Sequence, residues 1–170
     1  MARPRVIDKL LGLVLPTDGY KSWLDIGTGD GNTCCSHPYY DKIEHKVGID
    51  PQETIRELHS ESFKLLREAY DEKSSVWNEK FDLVTMFDLL EHYKKQDALK
   101  LLKHLDEITN KMLIIFTPKG FYYQGGNEWD SHKSGWEPEE LLELGFSVHL
   151  LKDFHEEGDA LFAWKNNFIK

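Results

Sequence analysis

Four short, mostly apolar runs are the feature that most restricts how this chain can fold. They are SWLDI (22–26), KVGID (46–50), FDLVTM (81–86) and MLIIF (112–116). Runs of this length are typical of parallel strands that are covered on both faces. The segment FKLLREA (63–69) fits either a strand or the end of a helix suggested by QETIRELHSESF (52–63). We predict a strand from about Phe63, because the alternation of strands and helices needs one there.

Two helices and a final pair of strands complete the pattern. KKQDALKLLKHLDEI (94–108) carries one apolar stripe at helical spacing. PEELLELG (138–145) predicts a second helix, with proline near its start and glycine at its end. The tail FSVHLLKDFHEEGDALFAWK (146–165) predicts two strands joined by a glycine-containing turn. We therefore predict an α/β fold with a mainly parallel sheet and an antiparallel edge strand from the terminal hairpin.

Length and charge limit the function classes. The 170 residues are enough for one sizeable core, so we predict a single domain over residues 1–170. The net charge of −9 argues against extended nucleic acid as a partner, because that would need a basic face. An acidic surface fits a small molecule better. The sequence leaves the oligomeric state open.

The N-terminal segment MARPRVIDKLLGLVLP has to be tested as a signal peptide. Asp8 and Lys9 interrupt its apolar stretch and no small-residue cleavage site follows, so we predict a helix with Leu10, Leu11 and Val14 on one face. No window approaches the roughly 20 apolar residues of a membrane span. The only two cysteines, 34 and 35, are adjacent, which favours a cytoplasmic protein without a structural disulfide.

A glycine-rich loop follows the first predicted strand. In LDIGTGDG, Gly27, Gly29 and Gly31 would allow a tight turn and close approach of a ligand to the backbone. Ligands of such sheets bind at the carboxyl ends of the strands. Asp50 ends the next strand, where an acid can accept hydrogen bonds from ribose hydroxyls. Alternatively, the glycines form a structural turn and Asp50 only begins the turn DPQE.

The loop departs from the dinucleotide pattern G-x-G-x-x-G. The third glycine position is Asn32, and the last glycine comes one residue early, at Gly31. Asp25 and Asp30 place negative charge where a pyrophosphate would otherwise lie. A cationic cofactor without phosphate suits this loop better than a nicotinamide dinucleotide.

As a set, the motifs resemble those of the class I S-adenosylmethionine-dependent methyltransferases. The matching segments are WLDIGTGDG, VGIDP, FDLVTMFDLLEH, LIIFTPKG and the terminal hairpin, which together span residues 20–166. The resemblance implies a Rossmann-like doubly wound sheet of about seven strands, and an enzyme that transfers a methyl group from S-adenosylmethionine to an O or N atom. A departure is TNK (109–111), which replaces the usual K-P-G-G turn before the fifth strand.

The resemblance also implies roles for individual residues. The glycines would lie under the methionine and ribose portions of the cofactor, Asp25 near its amino group, Asp50 at the ribose hydroxyls, and Phe87 and Asp88 close to the sulfonium. Tyr70 is a candidate for contact with the adenine. The full predicted cofactor set is Asp25, Gly27, Thr28, Gly29, Gly31, Asp50, Phe87 and Asp88.

An acid–histidine cluster forms the possible chemical site. Asp88, Glu91 and His92 stand at i, i+3 and i+4, so a helix would place them on one face, and His132 precedes Trp136 by four positions. Some methyltransferases of this superfamily, including those that modify RNA 3′ ends, hold a divalent metal with a similar pattern. The resemblance thus implies a possible metal site of Asp88, Glu91, His92 and His132.

Three alternatives remain for this cluster. Asp88 and Glu91 also form a capping-box-like D-x-x-E pair at a helix start. His92 could simply line the cofactor pocket. Without a metal, His92 or His132 could be the catalytic base, because imidazole titrates near neutral pH.

The segment 118–138 is a long, aromatic-rich loop after the fifth strand. Loops of this length often serve as lids or binding loops. Its aromatic side chains either wall an acceptor pocket or cover the sheet edge; they are Phe121, Tyr122, Tyr123, Trp129 and Trp136. Two other functions stay open: an S-adenosylmethionine-binding regulatory subunit without catalysis, and a nicotinamide-dependent oxidoreductase.

Overall fold

The structure is a computed structural model that describes residues 4–16, 19–29, 40–52, 63–155 and 158–167. The helix suggested over 52–63 lies almost wholly outside these ranges. Gly31, Asp30, Asn32, Cys34 and Cys35 also lie outside the described residues.

The described residues form one seven-stranded sheet with three α-helices. The strands are β1 (Ser22–Ile26), β2 (His45–Ile49), β3 (Phe63–Leu66), β4 (Phe81–Phe87), β5 (Thr109–Pro118), β6 (Ser147–His155) and β7 (Gly158–Asn166). The helices are α1 (Pro4–Val14), α2 (Lys95–Ile108) and α3 (Pro138–Glu143), with short 3₁₀ helices at Tyr40–Lys42 and Leu90–His92. All the predicted strands and helices that fall within the described ranges are therefore present.

The strand order is β3-β2-β1-β4-β5-β7-β6. Strands β1 to β5 are parallel, and β7 is antiparallel to both β5 and β6. The predicted α/β class, with a mainly parallel sheet and an antiparallel hairpin strand, is confirmed. One detail differs: the antiparallel strand β7 is internal and β6 forms the edge, because the hairpin inserts its second strand against β5.

Successive side chains of the strands point to opposite faces of the sheet and pack into two hydrophobic cores. Leu24, Val84 and Leu113 face the core that contains the apolar stripe of α2, namely Ala98, Leu101, Leu102, Leu105 and Ile108. Trp23, Leu83 and Ile114 face the core that contains α1, where Ile7, Leu10 and Leu11 are buried. Both sheet faces are thus covered, which is why the parallel strands contain continuous apolar runs.

The segment TNK is not a turn. Thr109 ends α2 and begins β5, and its hydroxyl donates to the carbonyl of Leu105 at 2.6 Å. Helix and strand therefore join directly, and no glycine-containing connection is needed. Within the described residues, no helix is both long and apolar enough to cross a lipid bilayer.

Candidate active site

The carboxyl ends of β1, β2 and β4 meet where the strand order reverses, which is the usual ligand position in such sheets. Gly27 and Gly29 follow β1 with φ values of 70° and 57°. The amide of Gly27 donates to the carbonyl of Ile49 at 2.8 Å, and that of Thr28 to the same carbonyl at 3.3 Å. The loop is therefore tied to the end of β2 and curls through a conformation that favours glycine.

Asp50 is built into the same loop. Its buried carboxylate accepts the amide of Gly29 on Oδ2 at 3.0 Å and the amide of Gln52 on Oδ1 at 2.9 Å. A carboxylate oxygen can accept more than one hydrogen bond. Asp50 can thus fix the glycine loop and still receive hydroxyl groups of a ligand.

Asp25 is held by a buried chain of hydrogen bonds across two strands. The indole Nε1 of Trp23 donates to Thr85 Oγ1 at 2.7 Å, and the Thr85 hydroxyl donates to Asp25 Oδ1 at 2.6 Å. Asp25 pairs with Thr85 in the parallel register of β1 and β4, so both side chains share one sheet face. The carboxylate is oriented before any ligand arrives.

Phe87 and Asp88 leave the end of β4. Phe87 is buried in the core beneath α1. Asp88 has a φ of 47° and donates its amide to the carbonyl of Phe116 at 2.9 Å. Such a backbone conformation costs a non-glycine residue on the order of 1–3 kcal/mol and is concentrated at functional sites.

The predicted helix face for Asp88, Glu91 and His92 is wrong. A 3₁₀ helix covers only Leu90–His92, and its N-cap is Leu89, with no side-chain cap. Asp88 therefore precedes the helical turn and is not its capping residue. Helical spacing over five residues needs a longer helix than this one, because Tyr93 is already extended.

Glu91 is buried beside Thr117 of β5. The Thr117 hydroxyl donates to Glu91 Oε2 at 2.9 Å. Burial raises the pKa of the Glu91 carboxyl well above its ordinary value, and the nearby Asp88 carboxylate raises it further. The main-chain oxygen of Glu91 accepts the amides of Lys133 and Ser134 at 2.8 and 3.0 Å, which docks the long loop against this turn.

His92 and His132 come together although 40 positions separate them in the chain. Their ring centroids are 5.0 Å apart. The Nδ1 of His92 is 3.2 Å from the Ser131 carbonyl, and the Nδ1 of His132 is 3.2 Å from that of Tyr122. A carbonyl only accepts, so Nδ1 is the donor in both contacts, and Nε2 is the nitrogen that carries the lone pair when the ring is neutral. Burial lowers the pKa of His92.

Ligand atoms of Glu91, His92 and His132 lie within 4.8 Å of one another, and Asp88 is not part of this group. Among the described residues, three of the four predicted metal-site residues are thus brought together. A backbone carbonyl on the second ring nitrogen is the usual partner of a metal-bound histidine. The donor set of one carboxylate and two imidazoles suits a divalent transition metal.

The aromatic residues of the long loop divide into two groups. Trp136 is fully buried in the core beneath α2, so it does not wall a pocket. Phe121, Tyr123 and Trp129 are 60%, 83% and 45% exposed. Tyr122 lies edge-on to His132, with ring centroids 4.8 Å apart.

Tyr70 lies in the core that contains the apolar stripe of α2. Its ring is buried against Trp77, and its hydroxyl is 3.3 Å from Nε2 of His104. The suggested adenine contact of Tyr70 stays a prediction.

Sequence reasoning missed the residues that hold the site in place. Thr85 and Thr117 orient Asp25 and Glu91, and Gln52 Nε2 donates to Asp130 Oδ1 at 3.0 Å, which links the Asp50 turn to the long loop. A threonine inside an apolar strand was the one available signal. The pairing of Gln52 with Asp130 spans 78 positions and has no local signature.

Comparison with known proteins agrees with this geometry. The profile of a methyltransferase domain family matches residues 2–121. No curated protein matches the sequence at a significant level. Solved structures match over nearly the whole chain. A putative methyltransferase from Bacillus halodurans C-125 gives a TM-score of 0.70 at 12% identity, covering 95% of this chain and 98% of its own.

Two further solved structures that match this chain are of proteins whose names state an activity. The methyltransferase domain of bacterial CtHen1 gives a TM-score of 0.63 at 20% identity, covering 95% of this chain and 96% of its own. The magnesium protoporphyrin IX methyltransferase of Synechocystis PCC 6803, solved with S-adenosylhomocysteine, gives 0.65 at 15% identity, covering 96% and 82%. The chain has the fold of the class I S-adenosylmethionine-dependent methyltransferases. It belongs to the methyltransferase domain family.

Proposed function

We propose that this protein binds S-adenosylmethionine and transfers its methyl group to an oxygen or nitrogen of a small molecule. The observation that carries the proposal is the bond between the Gly29 amide and the Asp50 carboxylate. It joins a bare glycine turn to a buried acid at the switch point of the sheet, where a ribose would be held. The acidic net charge supports a small-molecule acceptor, and the two adjacent cysteines support a cytoplasmic location.

Charge complementarity and hydrogen bonding suggest the roles of the residues on the cofactor side. A sulfonium cofactor is cationic, and Asp25 and Asp50 place two buried carboxylates beside the loop without a phosphate-binding pattern. Asp25, oriented by Thr85, suits the amino group of the methionine portion. Asp50 suits the ribose hydroxyls, and Gly27, Thr28 and Gly29 would form the floor, with Gly31 as their predicted continuation.

The acceptor would lie between the cofactor and the two histidines. Methyl transfer is an in-line displacement in which the acceptor lone pair attacks the methyl carbon while the carbon–sulfur bond breaks. Positioning supplies much of the acceleration. We propose that Nε2 of His92 or His132 takes the acceptor proton, because Nδ1 is the donor in both carbonyl contacts and Nε2 is then the basic nitrogen of the neutral ring.

A divalent metal is a second part of the proposal, supported by the grouping of Glu91, His92 and His132. Such an ion, when bound, would lower the pKa of a hydroxyl acceptor. Asp88 was predicted as a ligand from the motif, and we propose for it only the place beside the sulfonium.

The first test is isothermal titration with S-adenosylmethionine, S-adenosylhomocysteine and NAD. We expect micromolar binding of the first two and none of NAD. Binding of NAD alone would contradict the proposal and support a nicotinamide-dependent oxidoreductase. Cofactor binding without methyl transfer across an acceptor screen would favour the regulatory subunit.

Replacing Asp50 tests the ribose role. We expect Asp50→Ala to weaken S-adenosylmethionine binding by about 1–3 kcal/mol, because polar partners are left unpaired. Asp71→Ala is the matched control, because Asp71 Oδ1 accepts the amide two residues ahead, from Lys73 at 2.8 Å, as Asp50 does from Gln52. Equal affinity of the Asp50 variant and the wild type would show that Asp50 does not hold the ribose.

Thermal shifts with Mg²⁺, Mn²⁺ or Zn²⁺ test the metal. A ligand that binds only the folded state at 100 times its Kd stabilises by about 2.7 kcal/mol. We expect that stabilisation in the wild type and in His149→Ala, which changes an exposed histidine, and its loss in His132→Ala. Identical shifts in all three proteins would remove the metal from the proposal.

A further inference from the structure

Lys95, the first residue of α2, makes an unusual set of contacts for a lysine. Its Nζ donates to the carbonyl of Gly135 and to both carboxylate oxygens of Glu140, at 2.8 and 2.9 Å. The same ammonium group lies 3.7 Å from the centre of the Trp136 ring. One cation therefore joins α2, α3 and the last residues of the long loop.

The part of the loop beside Gly135 carries the acceptor-side contacts. The amides of Lys133 and Ser134 dock on the carbonyl of Glu91, and the Ser131 carbonyl holds Nδ1 of His92. His132 lies between these docking points. Any movement of residues 131–135 would therefore change the position of the His132 ring and the hydrogen bond of the His92 ring together.

We propose that Lys95 is a positioning residue: it fixes residues 131–135 so that the Nδ1 atoms of His92 and His132 keep their carbonyl partners and the Nε2 atoms face the acceptor. The inference rests on the proposed function for the role of these imidazoles, while the positioning itself is a property of the fold.

The ion pair of Lys95 and Glu140 is partly exposed, so the role of Lys95 in positioning can be distinguished from a role in the stability of the whole protein. The Lys95 and Glu140 side chains are 35% and 42% exposed, so their attraction contributes little to the free energy of unfolding. The donated bond to Gly135 and the contact with Trp136 act on one loop segment. Their loss should loosen that segment, which keeps its main-chain bonds to Glu91, and leave the rest of the protein folded.

The test is a nitrogen-15 spectrum of the imidazole rings at a single pH in the full chain. In the wild type we expect His92 and His132 as the Nδ1-protonated tautomer. Lys95→Met keeps an unbranched side chain over Trp136. In this variant we expect both rings to show a mixture of the Nδ1-protonated and Nε2-protonated tautomers. Lys95→Arg, which keeps the cation and its donors, should restore the Nδ1-protonated tautomer.

Lys111→Met is the matched control. Lys111 also donates to a backbone carbonyl, that of Gly19, pairs with Asp82 at 3.0 Å and lies 5.4 Å from the ring centre of Tyr20. It makes these contacts from the first residues of β5, so we expect its loss to leave both imidazoles unchanged.

The outcomes are separable from those of the proposed function. Unchanged His92 and His132 signals in folded Lys95→Met would overturn the inference. If that variant does not fold, Lys95→Ala decides in the same way, because it removes the same donated bonds and places the best helix former at the start of α2. Absence of S-adenosylmethionine binding by the wild type would instead count against the proposed function and leave the positioning result valid.

Discussion

Trp136→Ala should lower the free energy of unfolding by about 3–5 kcal/mol, the cost of truncating a large buried aromatic residue. Trp136 is fully buried, its Nε1 donates to Ser134 Oγ at 3.1 Å, and its carbonyl accepts the amide of Gly120 at 2.7 Å. The residue thus anchors the far end of the long loop in the core under α2. Urea denaturation followed by circular dichroism measures the loss.

Trp129→Ala is the matched control in the same loop. Trp129 is 45% exposed, so we expect a change within about 0.5 kcal/mol, as for most surface substitutions. If the two variants lost equal stability, Trp136 would not be the anchor of the loop. If Trp129→Ala reduced methyl transfer without loss of stability, an acceptor contact for Trp129 would be supported.

The strands could be predicted because burial on both faces leaves a local trace. MLIIF predicted β5 by its composition, although the strand extends to Thr109–Pro118. The order of β7 and β6 also left a trace, which the prediction of an antiparallel edge strand did not use. The continuous apolar run ALFAW belongs to β7, the internal strand, whereas β6 mixes polar and apolar residues as an edge strand does. The inward position of Trp136 was hidden, because a loop has no periodicity that marks an inward side.

The proposed cofactor side of the site was more predictable than the proposed acceptor side, for a physical reason. Gly27, Gly29 and Asp50 occupy the ends of strands, and the topology alone brings strand ends together. Glu91, His92 and His132 meet only because a loop folds back through main-chain bonds to Glu91. Helical spacing was the wrong guide there, because the chain makes a single 3₁₀ turn.

Gly27→Ala should lower the free energy of unfolding by about 2–4 kcal/mol, from a left-handed residue that disfavours a side chain and from overpacking. Gly27 has a φ of 70°, and an added Cβ would lie 2.8 Å from Cδ2 and 3.2 Å from Cβ of Leu89. Leu89 leads into the turn that carries Glu91, so the strain would reach both halves of the site. Thermal unfolding and S-adenosylmethionine titration should both report the loss.

Gly29→Ala separates crowding by the protein from crowding by the ligand. Gly29 has a similar φ of 57°, but an added Cβ would meet no described atom within 4 Å. Only the backbone cost of about 1–2 kcal/mol is then expected. Cofactor affinity should nonetheless fall in Gly29→Ala, because the proposed function places the ligand in that open space. A Gly29 variant that binds S-adenosylmethionine as tightly as the wild type would mean that the cofactor does not approach this part of the loop.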